Sequence, residues 1–371
     1  MTNSKPEGDD GIFANGLDHY LAVRDGRRAP RFVESRLAGL LDRKIQMADR
    51  MLDACDLCPH HCLVNRNAGE RGFCGVTDRT AVHWEGVLHG EEIELGASHE
   101  VFFSGCTMRC AFCFAHAHIT RPMSGLPMAP EELANCVDKR RAQGASNVNL
   151  VGGEPIVHLA NILKMLRDVT RPSPVVWNSN LYATEDTMAL LEGVVDLYLG
   201  DIHFGNEECA AKLGRIPDYL PSVHAAFQTA ARSGASVIIR HLVMPGHLEC
   251  CARPAMEWAA RELPDTPFHL MFQYLPEFRT LGDPVMGRAL SLPEIARAEE
   301  LAREIGVRRY QEAEFASPPM PETEGGVGET VDILIHEDGR VSFTRLTGDL
   351  LPVAAALNAG DERVSMRMGR S

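Results

Sequence analysis

Between residues 98 and 305 the chain switches repeatedly between two hydrophobic periods. Short apolar runs rich in Val, Ile and Leu alternate with longer stretches whose apolar residues recur at helical spacing. The runs predict six strands: His99–Ser104, Asn147–Val151, Pro174–Asn178, Val195–Asp201, Ser236–Leu242 and Phe268–Phe272. The stretches between them predict helices over Glu131–Gln143, Val157–Arg167, Thr184–Leu191, Glu207–Leu213, Ser222–Ser233, Arg253–Glu262 and Leu292–Ile305. Pro130 and Gly144 bracket the first of these as start and stop signals. Strands alternating with helices imply parallel pairing through right-handed crossovers. Six such units predict an α/β fold, a partial (β/α)6 barrel that is open rather than closed and eight-fold.

The flanks read differently. Residues 1–30 read as a loose arm rich in Gly, Asp and Arg. Arg31–Leu52 reads as one amphipathic helix, with Phe32, Leu37, Leu40, Leu41, Ile45, Met47 and Met51 near helical spacing. A compact cysteine segment follows, Cys55–Cys74, and then short strands over Val82–Glu94 with a turn at His89-Gly90. In the tail, Val331–His336 and Val341–Arg345 flank Glu337-Asp338-Gly339-Arg340, a hairpin signal. The expected division is therefore residues 1–97 for arm, helix and cysteine segment, 98–316 for the barrel, and 317–371 for hairpin and tail.

The strand assignment makes a further point about function. In barrel enzymes the active site gathers at the carboxyl ends of the strands. The unusual polar sets of this chain fall there: a cysteine loop after the first strand, Gly152-Gly153-Glu154-Pro155 after the second, and Asn178-Ser179-Asn180 ending the third. Asp201 and His203 end the fourth, Arg240 and His241 lie in the fifth, and Gln273-Tyr274 close the sixth. The charge balance narrows the partners. At 371 residues, 45% apolar, 24% charged and net charge −14, the chain reads as globular and offers no basic block for a nucleic-acid backbone. No apolar run approaches membrane-spanning length and residues 1–11 lack a signal-peptide core. A cytoplasmic location is expected, where eleven cysteines point to metal or cluster ligation more than to disulfides.

Three of those cysteines, Cys106, Cys110 and Cys113, have spacing C-x3-C-x2-C, with Phe112 just before the last. A [4Fe–4S] cube normally takes four thiolates, so three close ones leave one iron open to a substrate or cofactor. Zinc loops bring cysteines as C-x2-C pairs, two pairs per site, which this loop does not match. A second set, Cys55, Cys58, Cys62 and Cys74, has spacing C-x2-C-x3-C-x11-C. Four thiolates make a closed site suited to a second iron–sulfur cluster or to structural zinc. Cys136, Cys209, Cys250 and Cys251 show no ligand spacing and read as buried or surface thiols.

Over residues 98–280 the chain resembles the radical S-adenosylmethionine enzymes. Within them it is most similar to the activating enzymes of glycyl-radical enzymes, in particular an uncharacterised branch like the pyruvate formate-lyase-activating enzyme. The likeness rests on Cys106/Cys110/Cys113, Gly152-Gly153-Glu154-Pro155, Asp196-Leu197-Tyr198-Leu199-Gly200-Asp201 and Ile239-Arg240-His241-Leu242-Val243-Met244-Pro245-Gly246. It implies a [4Fe–4S] cluster that splits S-adenosylmethionine to a 5′-deoxyadenosyl radical, which abstracts hydrogen from a protein, peptide or small-molecule substrate. It also implies a reducing partner such as flavodoxin or ferredoxin. Gly152, Gly153 and Glu154 match the stretch that receives the cofactor's amino group; Asn178 and Ser179 match polar contacts, and Arg240 a partner of its carboxylate. Asp201 matches an acidic residue near the cofactor, and His203 stands where activating enzymes often carry lysine. Phe112 belongs to the cluster motif. Phe114-Ala115-His116-Ala117-His118 departs from the branch, so His116 and His118 are either substrate-facing or ordinary packing residues. The rival reading is an iron–sulfur electron carrier that does not turn the cofactor over; it has no need of Gly152-Gly153-Glu154-Pro155 or Arg240.

Overall fold

A computed structural model describes residues 16–90 and 92–310, together with the backbone of residues 333–335 and 341–343. The sheet is built from β1 (Ala81–His89), β2 (Ala97–Phe103), β3 (Leu126–Pro127), β4 (Asn147–Gly152), β5 (Val175–Ser179), β6 (Leu197–Asp201), β7 (Ser236–Leu242) and β8 (Phe268–Met271). Its strand order is β3-β1-β2-β4-β5-β6-β7-β8. From β2 to β8 every pairing is parallel, which gives the six parallel strands read from the sequence. The sheet does not close. β3 and β8 are its edges, and β1 adds to β2 as an antiparallel partner. Residues 82–94 are thus not several short strands: β1 runs unbroken to His89.

Period-2 alternation divides each strand between two cores. Val175, Trp177, Tyr198 and Ile239 join the main core, packed with the crossover helices. Val176, Leu197, Leu199 and Ile238 point the other way, into the concave side. Leu17 and Tyr20 fill that inner side. Tyr20 lies on a helix, Asp18–Arg24, and its hydroxyl donates to Leu95 O (3.3 Å) and accepts from Asn147 Nδ2 (2.8 Å). Residues 17–23 are therefore a plug in the half-barrel rather than part of a loose arm, while residues 25–29 are exposed. Two steps further along β5, β6 and β7, the same inner face carries Asn178, Asp201 and Arg240. The alternation that seats the plug also sets these polar residues above it.

Three other expectations change. Arg31–Leu52 is two helices, Arg31–Leu37 and Leu40–Met51, broken at Gly39, whose φ of 69° is the left-handed conformation glycine tolerates. Residues 155–158 form a 3₁₀ turn before the helix Leu159–Asp168. Glu207–Leu213 becomes a short helix, Glu207–Cys209, followed by a wider π turn, Ala210–Gly214. The helices Pro130–Ala142, Glu185–Leu191, Tyr219–Arg232, Arg253–Glu262 and Leu292–Ile305 fall where the periodicity places them.

Residues 1–313 cluster as one unit and 314–371 as another. In the second, Ile333–Ile335 pairs antiparallel with Val341–Phe343, Val341 opposite Ile335. The turn at 337–340, the outer ends of the expected hairpin, the boundary at 316/317 and residues 1–15 of the arm lie outside the described residues. Among the described residues no helix is long and apolar enough to cross a membrane.

Candidate active site

The cysteine loop leaves β2 through Gly105, in the left-handed region at φ 82°. It is held by backbone rather than by its sulfurs. Arg109 N donates to Gly214 O and Ala111 N to Leu213 O, both at 2.8 Å, so the π turn after β6 clasps the loop. Arg109 folds back to give Nη1 bonds to Cys106 O and Met108 O, each 2.9 Å. The three thiols lie close enough to influence one another electrostatically. Burial pushes each pKa up, well up for Cys106, where the Glu154 carboxylate and Cys110 add to it. Burial raises Cys110 too, helped by Cys113, and takes Cys113 to about 11. Thiols raised this way are poor nucleophiles. They become thiolates when a metal or cluster supplies the positive charge, and N–H groups already point at one of them: Met108 N at 3.3 Å and Asn180 Nδ2 at 3.7 Å both donate to Cys106 Sγ.

All three cysteines line one cavity of about 330 Å³, with Phe112, Gly152, Gly153, Glu154, Asn178, Ser179, Asp201, His203 and Arg240. Every residue predicted for this site is thus brought together. Glu154 is fully buried and accepts from Ser179 Oγ (2.7 Å), Asn180 N (3.0 Å) and Ile156 N (3.1 Å). Burial outweighs these bonds and lifts its carboxyl to about 7. The β6–β7 register sets Asp201 beside Arg240. Arg240 Nε and Nη2 grip Asp201 at 2.8 and 3.2 Å, and Nη2 also donates to Asn178 Oδ1. His203 is half-buried, desolvation lowers its pKa, and it packs edge-on against Phe112. Its Nδ1 and the Oδ1 of Asn149 are buried without a hydrogen-bond partner among the described residues. Both residues line the cavity, as expected of a space shaped for a polar ligand.

The two glycines are required by close approach. Gly152 has φ 116°, and a Cβ there meets Phe103 N at 2.1 Å; at Gly153 a Cβ meets Gly105 O at 1.9 Å. Gly153 N donates to Phe103 O (2.8 Å), which ties this turn to the mouth of the cysteine loop. Gly153→Ala is expected to force the two backbones apart, with a cost of about 1–3 kcal/mol on the overpacking scale. The check is denaturant unfolding together with iron content, both of which should fall.

The second cysteine set also converges. Burial raises Cys58 and Cys74, and the other cysteines of the set add to each shift. A Cβ at Gly72 meets Cys62 Sγ at 2.7 Å, so only glycine lets the returning chain pass. Arg66 is 2% exposed, and among the described residues no carboxylate pairs with it. Its donors go to Thr77 O and Val157 O, and Nη1 lies 3.8 Å from Cys55 Sγ. A buried cation needs nearby negative charge, and four thiolates on a metal or cluster supply it. The set also touches the first loop. His60 Nε2 is 2.8 Å from Thr107 O, next to Cys106, and His60 stacks on Phe73, which the Arg109 guanidinium covers.

Some polar residues of the rim point elsewhere. His241 faces outward, with Nδ1 2.6 Å from Ile202 O, because its neighbour Arg240 takes the inner side. β8 ends at Met271, which lines the cavity, while Tyr274 turns to donate to Met286 O. His116 stacks on Phe278 and His118 on His83, so both are packing residues. Sequence reading missed Glu92, Glu100 and Asn149 in the cavity wall. Glu100 and Asn149 carried a signal, each a charged or polar residue inside an apolar strand.

Comparison with known proteins agrees with this geometry. The profile of the Radical SAM superfamily matches residues 101–259. An uncharacterised protein of Methanocaldococcus jannaschii is 40% identical over 270 residues, 71% of this chain and 78% of that protein. Among solved structures, SuiB of Streptococcus suis bound to S-adenosylmethionine is similar over 54% of this chain and 44% of its own, with 12% identity and a TM-score of 0.41. QueE from Escherichia coli covers 62% of this chain and 92% of its own, with 13% identity and a TM-score of 0.38. The chain thus spans less than half the length of SuiB, and at these scores the sheet's own strand order carries the fold assignment. Membership implies a [4Fe–4S] cluster and S-adenosylmethionine as cofactors, and the thiol triad, with the unpartnered polar atoms of Asn149 and His203 in the same cavity, fits both. The chain belongs to the radical S-adenosylmethionine superfamily.

Proposed function

We propose that the chain is an enzyme that reductively cleaves S-adenosylmethionine and abstracts hydrogen from a substrate held over the cavity. One observation carries the reading: the Cys106, Cys110 and Cys113 thiols and the Gly152-Gly153-Glu154 turn line the same cavity. Bound there, the cluster and cofactor supply an electron and a carbon-centred radical. Cys106, Cys110 and Cys113 hold the cluster. Gly152 and Gly153 let the main chain approach the cofactor's methionyl end, and Glu154 places negative charge beside its amino group. Asn178 and Ser179 orient polar groups, and the Arg240–Asp201 pair fixes the far wall. Phe112 and His203 keep that side dry, which protects a reactive species from water. Branch likeness makes a protein glycine the substrate, with a peptide or small molecule next, and flavodoxin or ferredoxin the reductant in a reducing cytoplasm.

For the second set we favour an iron–sulfur cluster over zinc. The His60–Thr107 contact beside Cys106 gives such a cluster a route to the first, and Arg66 offsets its charge. The test is anaerobic reconstitution with iron and sulfide, reduction with dithionite, and assay for 5′-deoxyadenosine and methionine. Both products are expected in equal amounts. A fully loaded, reduced protein that binds the cofactor and forms neither would leave an electron carrier as the function.

A further inference from the structure

Cys209, His247, Cys250 and Cys251 were unremarkable in sequence, yet the fold brings them together. Their ligand atoms all lie within 4.8 Å of one another. Cys209 Sγ is 3.9 Å from Cys250 Sγ and 3.7 Å from His247 Nδ1. Cys250 Sγ is 3.3 Å from the same nitrogen and 4.0 Å from Cys251 Sγ, and Cys251 Sγ is 3.8 Å from the nitrogen. A tetrahedron with metal–sulfur bonds of ~2.3 Å and a metal–nitrogen bond of ~2.0–2.1 Å has edges of roughly 3.5–3.8 Å. The four atoms therefore already outline one tetrahedral ion. They are too tightly grouped for a cube, whose irons and sulfides hold its thiolates further apart. They are also too far apart for a disulfide, whose sulfurs stand ~2.05 Å from each other.

The backbone is shaped for this grouping. Leu248–Ala252 is a π turn, in which Ala252 N reaches back five residues to His247 O (3.2 Å). Such wider turns recur at functional sites. Here the turn swings the consecutive Cys250 and Cys251 toward the same point. Asn206 ties the two halves: Nδ2 donates to Cys250 O (2.7 Å) and to Cys209 Sγ (3.4 Å), while Oδ1 accepts from Cys209 N (2.8 Å).

We propose that Cys209, His247, Cys250 and Cys251 form a structural Cys3His site for one zinc ion, separate from both cysteine sets already described. Binding releases the three thiol protons to solvent, and no redox change is involved. The ion fastens the loop after β6 to the loop after β7. Cys209 leads directly into the π turn whose Leu213 and Gly214 carbonyls clasp the cluster loop, so the ion braces that loop from behind.

The full-length protein, purified anaerobically without added iron, is expected to lose one zinc per chain in Cys250→Ser and in His247→Ala, with iron unchanged. Unchanged zinc in both variants overturns the site. Asn206→Ala, which keeps all four ligands, is expected to weaken zinc binding against a competing chelator by about 10–100-fold, as outer hydrogen-bond partners of metal ligands do. Wild-type protein gives an independent reading. Cys209, Cys250 and Cys251 should resist iodoacetamide until zinc is removed, while the half-buried Cys136 reacts. Alkylation of all three at the Cys136 rate, or a Cys209–Cys250 disulfide in the anaerobic protein, would likewise refute zinc ligation.

Discussion

Replacing Cys106, Cys110 and Cys113 together by alanine is expected to abolish 5′-deoxyadenosine formation and to leave the chain folded. The loop does not depend on its sulfurs for shape, because Arg109 N–Gly214 O, Ala111 N–Leu213 O and the Arg109 side chain hold it. What disappears is the donor set that places an open iron in the cavity. Iron counting adds a second readout. With clusters at both cysteine sets the reconstituted wild type should carry about eight irons and the triple variant about four, and the variant should stay brown. Should the Cys55/Cys58/Cys62/Cys74 set hold zinc, the variant is colourless. Continued 5′-deoxyadenosine formation by the triple variant would refute the assignment of the catalytic cluster.

Much of this site could be read from spacing because its parts are local in sequence or repeat with a strand period. The cluster cysteines fall within eight residues, and Asn178, Asp201 and Arg240 share the inner face of parallel neighbours. What escaped depends on tertiary contacts. Residues 16–30 have the composition of a loose arm, but Leu17 and Tyr20 gain burial only against strands far along the chain. The break at Gly39 costs little because glycine adopts φ 69° freely, so the periodicity of Arg31–Leu52 passes through it unmarked. Cys209 stands 38 residues from His247. No spacing rule links them, and the β6–β7 crossover alone brings them together. Gln273 and Tyr274 were placed at the rim because the last strand was extended one residue too far; it ends at Met271.

Arg240→Ala is expected to act on stability first and on the cofactor second. The family likeness makes Arg240 a partner for the cofactor carboxylate, and the fold gives it a structural ion pair as well. The structure shows how it is spent: its fork holds Asp201 and Asn178, and Nη1 lies 3.8 Å from Glu92, a carboxylate only 3% exposed. Removing the cation leaves Glu92 with His269 as its ion-pair partner among the described residues and frees Asp201 into the cavity. Breaking a buried pair from one side costs about 3–5 kcal/mol, most of it the penalty of the stranded charge. Asp201→Asn in the same background should recover part of that loss, with a coupling of about 0.5–3 kcal/mol as for residues in one network. Lysine at 240 should recover less, since it cannot match the two-pronged grip on Asp201. Cofactor affinity should also weaken, by about 1.5–3 kcal/mol if a charged hydrogen bond is lost, with the cluster absorbance unchanged. Denaturant unfolding of the three variants and of Asp201→Asn alone, beside cofactor titration, separates the two effects. A Arg240→Ala protein as stable as the wild type but deficient in cofactor binding would assign the guanidinium to the ligand, because an ion pair that holds the wall cannot be removed without cost to the fold.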